Sequence, residues 1–152
     1  MTTITNELAE VLNDLIQINN DRIEGYQRAA DEVKGIDSAL VPLFQKLAND
    51  SREYASKLAA EVGRLGAEPE TGSTAKGKIY RAWMDVKAAF TGKDRKAILA
   101  SCEYGEDQAQ KAYDDALASD ADIDVDTRQL ITSQKEALKK GHDEIKALRD
   151  TV

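Results

Sequence analysis

The sequence holds one cysteine, one histidine and two prolines in 152 residues, and 5% of it is aromatic. The single cysteine, Cys102, permits no intrachain disulfide, which fits a reducing compartment, and a cytoplasmic location is expected. One cysteine and one histidine cannot supply the ligands of a zinc finger or ribbon within one chain. No apolar run reaches the roughly 18 residues of a membrane span. The opening "MTTITNELAE" has neither the basic nor the apolar region of a secretory signal. There is no Gly-x-Ser-x-Gly and no glycine-rich phosphate loop, so hydrolase and nucleotide chemistry find little support.

What is present is Ala, Leu, Glu, Lys and Asp, the composition of an all-helical chain. At 32% charged and 41% hydrophobic, it reads as one globular domain over 1–152 with enough residues for a real core. A formal net charge of −7 argues against nucleic acid as a partner, because phosphate contacts need a cationic face. One segment runs the other way. Residues 76–96 carry seven Lys or Arg and two Asp, a net of +5, which leaves −12 for the remainder. This basic segment either lies over an acidic bundle or forms a patch for an acidic partner or a membrane surface.

Apolar residues recur at the helical period in four long segments. The first helix is expected over about 5–33, with the stripe Leu8, Leu12, Leu15, Asn19, Tyr26, Ala30, Val33. The second, 38–65, is opened by Asp37 or Ser38 and Pro42 and ended by Gly66 and Pro69. A shorter helix over 75–90 follows the loop "GAEPETGSTAKG". Two more are expected over 94–118, capped by Asp94, and over 125–150. Short turns join the first pair and the last pair. The long second connection makes the layout that of a ferritin-like antiparallel four-helix bundle with a crossover carrying a short helix.

Polar residues interrupt the apolar seams near the middle of each helix. At about 100° per residue, Asn19 falls in line with Leu12 and Tyr26, and Glu106 with Leu99 and Tyr113. Ser51 and Tyr54 turn inward on the second helix, and His142 lies near the stripe of Leu138 and Ile145. Since the middles of antiparallel helices meet at one level, Asn19, Ser51, Tyr54, Glu106 and His142 are expected to form a polar core layer. In it, Asn19 and Glu106 would pair and fix the helix register. Lys139, at the seam's edge, is a candidate counter-charge for Glu106. A residual metal site from Glu106 and His142, with Asp50, is the sharper alternative, holding iron or another divalent ion. Cys102 reads as a small buried apolar residue.

The strings "LNDLIQINNDRIEGYQRAADEV", "RLGAEPE", "RAWMDVKAAFTG" and "CEYGEDQAQKAYDDAL" resemble a bacterial family of ferritin-like four-helix bundles, a domain of unknown function. The resemblance spans nearly the whole chain. Ferritin-like di-iron proteins use a carboxylate on each of two helices and Glu-x-x-His on each of the other two. Against that pattern this chain offers Asn19, Ser51-x-x-Tyr54, Glu106 and Lys139-x-x-His142, so only Glu106 and His142 keep ligand chemistry. The resemblance therefore implies the fold and a degenerate ligand pattern.

The leading expectation is a non-enzymatic structural or interaction protein. The face of Ile79, Trp83, Val86 and Phe90 either packs on the bundle or meets a partner, which makes a homo-oligomer one outcome. A metal-binding protein or oxidoreductase with a non-standard site is a second reading. A small-molecule-binding bundle with a cavity beside Tyr26, Tyr54 and Tyr113 is a third.

Overall fold

A computed structural model describes residues 3–69, 94–119 and 121–151, with side chains from residue 7 onward. Among these residues there are four α-helices: α1, Thr3–Val33; α2, Val41–Arg64; α3, Arg95–Leu117; and α4, Val125–Asp150. The helix expected over 75–90, with Ile79, Trp83, Val86 and Phe90, lies outside the described residues.

The helix ends follow from local chemistry. A single 3-10 turn, Ser38–Leu40, precedes α2. Pro42 has no N–H to return to the Ser38 carbonyl, and the Val41 N–H serves that carbonyl instead. Asp37 opens this turn by accepting from the Ala39 N–H at 3.2 Å. Gly66 ends α2 at φ 79°, a left-handed conformation that glycine adopts without strain. The Ala67 N–H then closes back on the Val62 carbonyl at 3.1 Å. Asp94 caps α3 through the Ala97 N–H at 2.7 Å, and Asp124 caps α4 through the Thr127 N–H at 3.2 Å.

On α1 and α4 a line of buried positions steps alternately by four and three residues, the spacing of a seam in a left-handed bundle. On α1 they are Leu8, Leu12, Leu15, Asn19, Arg22, Tyr26, Ala29 and Val33, with Ala9, Ile16, Ile18, Asp21 and Ala30 buried beside this line. On α4 they are Thr127, Ile131, Gln134, Leu138, Gly141 and Ile145. α1 packs on α2 and α3, and α4 on α3 and α2. Contacts across each adjoining pair run in opposite chain directions, so α1 and α4 point one way and α2 and α3 the other. That up-down-down-up order is what a long second connection produces.

The apolar core falls into two parts. Leu8, Leu12, Leu15, Leu58, Val62, Ile131 and Leu138 fill one. Tyr26, Val33, Phe44, Leu47, Leu99, Cys102 and Ile145 fill the other. The polar seam residues lie between them. At one end of the bundle the Arg95 Nε donates to Asp37 Oδ2 at 3.0 Å, tying the start of α3 to the α1–α2 turn.

Candidate functional site

The middle of the bundle is organised by Arg22. Its side chain is only 2% exposed, and Glu106 across the core only 1%. Arg22 Nε donates to Glu106 Oε1 at 2.5 Å and Nη2 to Oε2 at 3.1 Å, a two-pronged pairing of planar groups. The remaining nitrogen, Nη1, donates to the Leu47 carbonyl at 3.0 Å and to Ser51 Oγ at 2.8 Å. The guanidinium carbon lies 5.1 Å from the Tyr26 ring centroid, so a cation–π contact adds to the ion pair. α1 supplies the cation, α3 the anion, and α2 the two neutral acceptors.

The network continues beyond the ion pair. Ser51 Oγ donates to Asn19 Oδ1 at 2.9 Å. Asn19 Nδ2 donates to the Leu15 carbonyl and to the Tyr113 hydroxyl, each at 2.9 Å. The Tyr113 hydroxyl donates to Gln134 Oε1 at 2.7 Å, and Gln134 Nε2 reaches the Tyr54 carbonyl at 3.2 Å. One chain of polar contacts thus joins all four helices through the core. Linked donors and acceptors of this kind polarise one another in a low-dielectric interior.

α4 approaches closely at this level because it carries glycine there. A Cβ on Gly141 would stand 3.0 Å from Glu106 Oε2, 3.1 Å from Arg22 Nη2 and 3.2 Å from Leu47 Cδ2. The ion pair fills the space that a side chain would need.

The electrostatics favour a fixed cation over proton transfer. Burial works against the Arg22 charge, but the Glu106 carboxylate outweighs it and holds the guanidinium more firmly protonated than usual. Burial pushes the Tyr26 hydroxyl and the Cys102 thiol well up, and raises the Tyr113 hydroxyl against the opposing hydrogen bond from Asn19. None of these four groups is poised for acid–base work near neutral pH.

Of the residues expected in a polar layer, Asn19, Ser51 and Glu106 meet here. Asn19 and Glu106 are joined through Ser51 and Arg22, not by the direct contact that was expected. Tyr54 is half-buried and contributes its backbone carbonyl. His142 is not in the layer and does not share a site with Glu106. Its Nε2 faces Asp107 Oδ1 at 2.6 Å and its Nδ1 faces Asp143 Oδ1 at 3.2 Å, on the outer side of the α3–α4 pair. The seam of α4 passes through Gly141, and the next residue points about 100° away. Lys139 pairs with Asp143 at 3.0 Å and Asp50 with Lys46 at 3.1 Å, both away from the core.

Arg22 and Gln134 were absent from the sequence-derived layer. Counting on from Leu15 and Asn19 by the alternating rule lands on Arg22, so the spacing held the signal.

The central donor set does not fit a dinuclear metal centre. Among the described residues, Glu106 is the carboxylate hydrogen-bonded within this network, and both of its oxygens are engaged by Arg22. Asn19, Ser51 and Tyr113 are neutral. Two divalent ions need several anionic oxygens, and here a fixed positive charge occupies the centre instead.

A second constellation lies outside the core. Glu103, Asp107 and His142 each offer one ligand atom, and these atoms all lie within 4.8 Å of one another. Glu103 and Asp107 are four apart on α3, and His142 comes from α4. Arg149 Nη1 holds Glu103 Oε2 at 2.5 Å. Partial burial lowers the affinity of His142 for a proton, but Asp143 and Asp107 outweigh it, so its pKa is raised.

The fold is shared with solved structures. A mutant of Dps1 from Mycobacterium smegmatis superposes with a TM-score of 0.83 at 17% identity, covering 98% of this chain and 99% of that one. The bacterioferritin of Desulfovibrio desulfuricans, which has a diiron site, gives 0.80 at 21% identity over 97% of this chain and 80% of the other. A ferritin-like, diiron-carboxylate protein of Bacillus anthracis gives 0.72 at 21% identity over 98% and 99%. At these identities the likeness concerns the fold. The search of curated proteins finds no match. None of the helices among the described residues is long and apolar enough to cross a membrane. Residues 7–119 match the model of a family described as a domain of unknown function (DUF2383), and with most of its length matched the chain belongs to that family.

Proposed function

We propose that this protein is a ferritin-like bundle that performs no di-iron chemistry at its centre and acts as a non-enzymatic structural or interaction protein. The observation that carries this reading is Arg22, whose guanidinium lies in the middle of the bundle and occupies both oxygens of Glu106. A fixed cation there does electrostatically what bound metal does in a di-iron protein: it neutralises inward carboxylate and ties helices together. It offers no open coordination position and no redox change. The raised hydroxyl and thiol pKa values of Tyr26, Tyr113 and Cys102 support the same reading. A protein partner, including a second copy of the chain, belongs to this reading through Ile79, Trp83, Val86 and Phe90, whose spacing in the sequence predicts one apolar face.

Elemental mass spectrometry after anaerobic loading of untagged protein with ferrous iron, followed by exposure to oxygen, tests the reading. The expected result is no iron retained at Glu106 and no ferrous oxidation above the buffer rate. Two irons per chain that disappear in Glu106→Gln would overturn it.

A further inference from the structure

We propose that Glu103, Asp107 and His142 form a surface site for one divalent transition ion, of which zinc is the best fit. The site is separate from the central network and does not rest on its interpretation.

Three observations combine. First, the donors come from both helices: two carboxylates four apart on α3 and one imidazole on α4, with ligand atoms within 4.8 Å of one another. Zinc bonds of about 2.0–2.2 Å place tetrahedral donors roughly 3.3–3.6 Å apart. The Asp107 side chain, 56% exposed, is free to rotate, and its Oδ1 would open from 2.6 Å to that spacing from His142 Nε2.

Second, His142 Nε2 stands 2.6 Å from Asp107 Oδ1, and Nδ1 stands 3.2 Å from Asp143 Oδ1. Both ring nitrogens thus face carboxylate oxygens. The cation that this contact needs is a proton on Nε2, which a metal ion would have to displace. With that proton displaced and Nδ1–H donating to Asp143, the Nε2 lone pair is directed at the two α3 carboxylates. That is the carboxylate–histidine–metal arrangement in which an outer carboxylate fixes the tautomer of a ligating histidine.

Third, the outer partners are themselves held. Asp143 Oδ2 accepts from Lys139 at 3.0 Å, so Oδ1 is kept on the ring. Arg149 Nη1 stands 2.5 Å from Glu103 Oε2, an ion pair that keeps this carboxylate in place. Glu103 and His142 are 12% and 19% exposed, so two of the three donors are shielded from competing water. One nitrogen and two oxygens suit zinc, with water completing the coordination.

Isothermal titration of the full, untagged chain with zinc chloride in a non-chelating buffer tests the proposal. The expected result is one ion per chain. His142→Ala and Glu103→Gln should each weaken binding at least tenfold, and Asp143→Asn by roughly 10-fold or more through the ring tautomer. All three side chains are at least partly exposed, and circular dichroism of each variant checks that it remains folded. Glu106→Gln should bind zinc as the unmodified chain does, which separates this site from the centre of the bundle. Absence of zinc binding in the unmodified chain, or binding that His142→Ala leaves intact, would overturn the proposal.

Discussion

Arg22 and Glu106 face each other across the core as a parallel pair, Nε to Oε1 at 2.5 Å and Nη2 to Oε2 at 3.1 Å, with almost no solvent on either side chain. Two charges removed from water have lost most of their hydration, and each depends on the other to recover it. Removing one partner therefore costs far more than removing both. Arg22→Met alone should lower stability by about 3–5 kcal/mol, because the Glu106 charge is left buried without its cation. The double variant Arg22→Met/Glu106→Leu should recover most of that loss, with an outcome from near neutral to about 4 kcal/mol more stable than the unmodified chain. Urea unfolding of all four members of the cycle gives the coupling energy. Additive losses would mean that the two groups do not depend on each other.

Gly141 is the helix position that the ion pair makes intolerant. In an ordinary helix interior, glycine to alanine stabilises by about 1 kcal/mol. At Gly141 the new methyl group meets Glu106, Arg22 and Leu47 at 3.0–3.2 Å. The two charged neighbours are held in place by their own bonds and cannot yield cheaply. Overpacking at about 1–3 kcal/mol should outweigh the propensity gain, so Gly141→Ala should destabilise. Gly63, on α2, has nothing within 4 Å of a built Cβ, and Gly63→Ala should stabilise by about 0.5–1 kcal/mol. Thermal midpoints of the two variants, read against the unmodified chain, should move in opposite directions.

The fold was legible because four apolar stripes and their stop signals are strong, local features. Asp94, Pro42 and Gly66 mark element ends by chemistry that one residue decides. The polar layer was legible only in part, for a reason visible on α4. Its seam alternates Ile131, Leu138 and Ile145 with Gln134 and Gly141. Those two carry no apolar side chain, so the stripe looked narrower than it is, and His142 was drawn into it. On α1 the same effect hid Arg22. A hydrophobic pattern cannot include an arginine, although the alternating spacing requires that position to be inward. Counting the seam by position, independent of residue type, recovers both. The pairing of Arg22 with Glu106, 84 residues apart, belongs to tertiary geometry and has no signature in either segment.

The last prediction concerns the start of α4. Asp124 accepts from the Thr127 hydroxyl at 2.7 Å and from the Thr127 N–H at 3.2 Å. The Thr127 hydroxyl is the main reason that the Asp124 carboxyl sits below its ordinary value. That value is about 3.9 in an unfolded chain. A pKa lowered by folding means that the unfolded chain binds the proton more readily. The cap's charged contribution is therefore complete above about pH 5, where both states are ionised, and drains away as pH falls through the folded pKa. Asp124→Ala should cost about 1 kcal/mol at pH 7, the usual value of an N-cap. Asp124→Asn should keep most of the cap without titrating, because an amide oxygen accepts the same bonds. Denaturant unfolding at steps from pH 7 down to pH 3 should show the gap between the unmodified chain and Asp124→Ala closing at the acid end. The gap between Asp124→Asn and Asp124→Ala should stay nearly constant over the same steps. Parallel curves for the unmodified chain and Asp124→Ala would mean that the ionised carboxylate adds nothing beyond an ordinary hydrogen-bond acceptor.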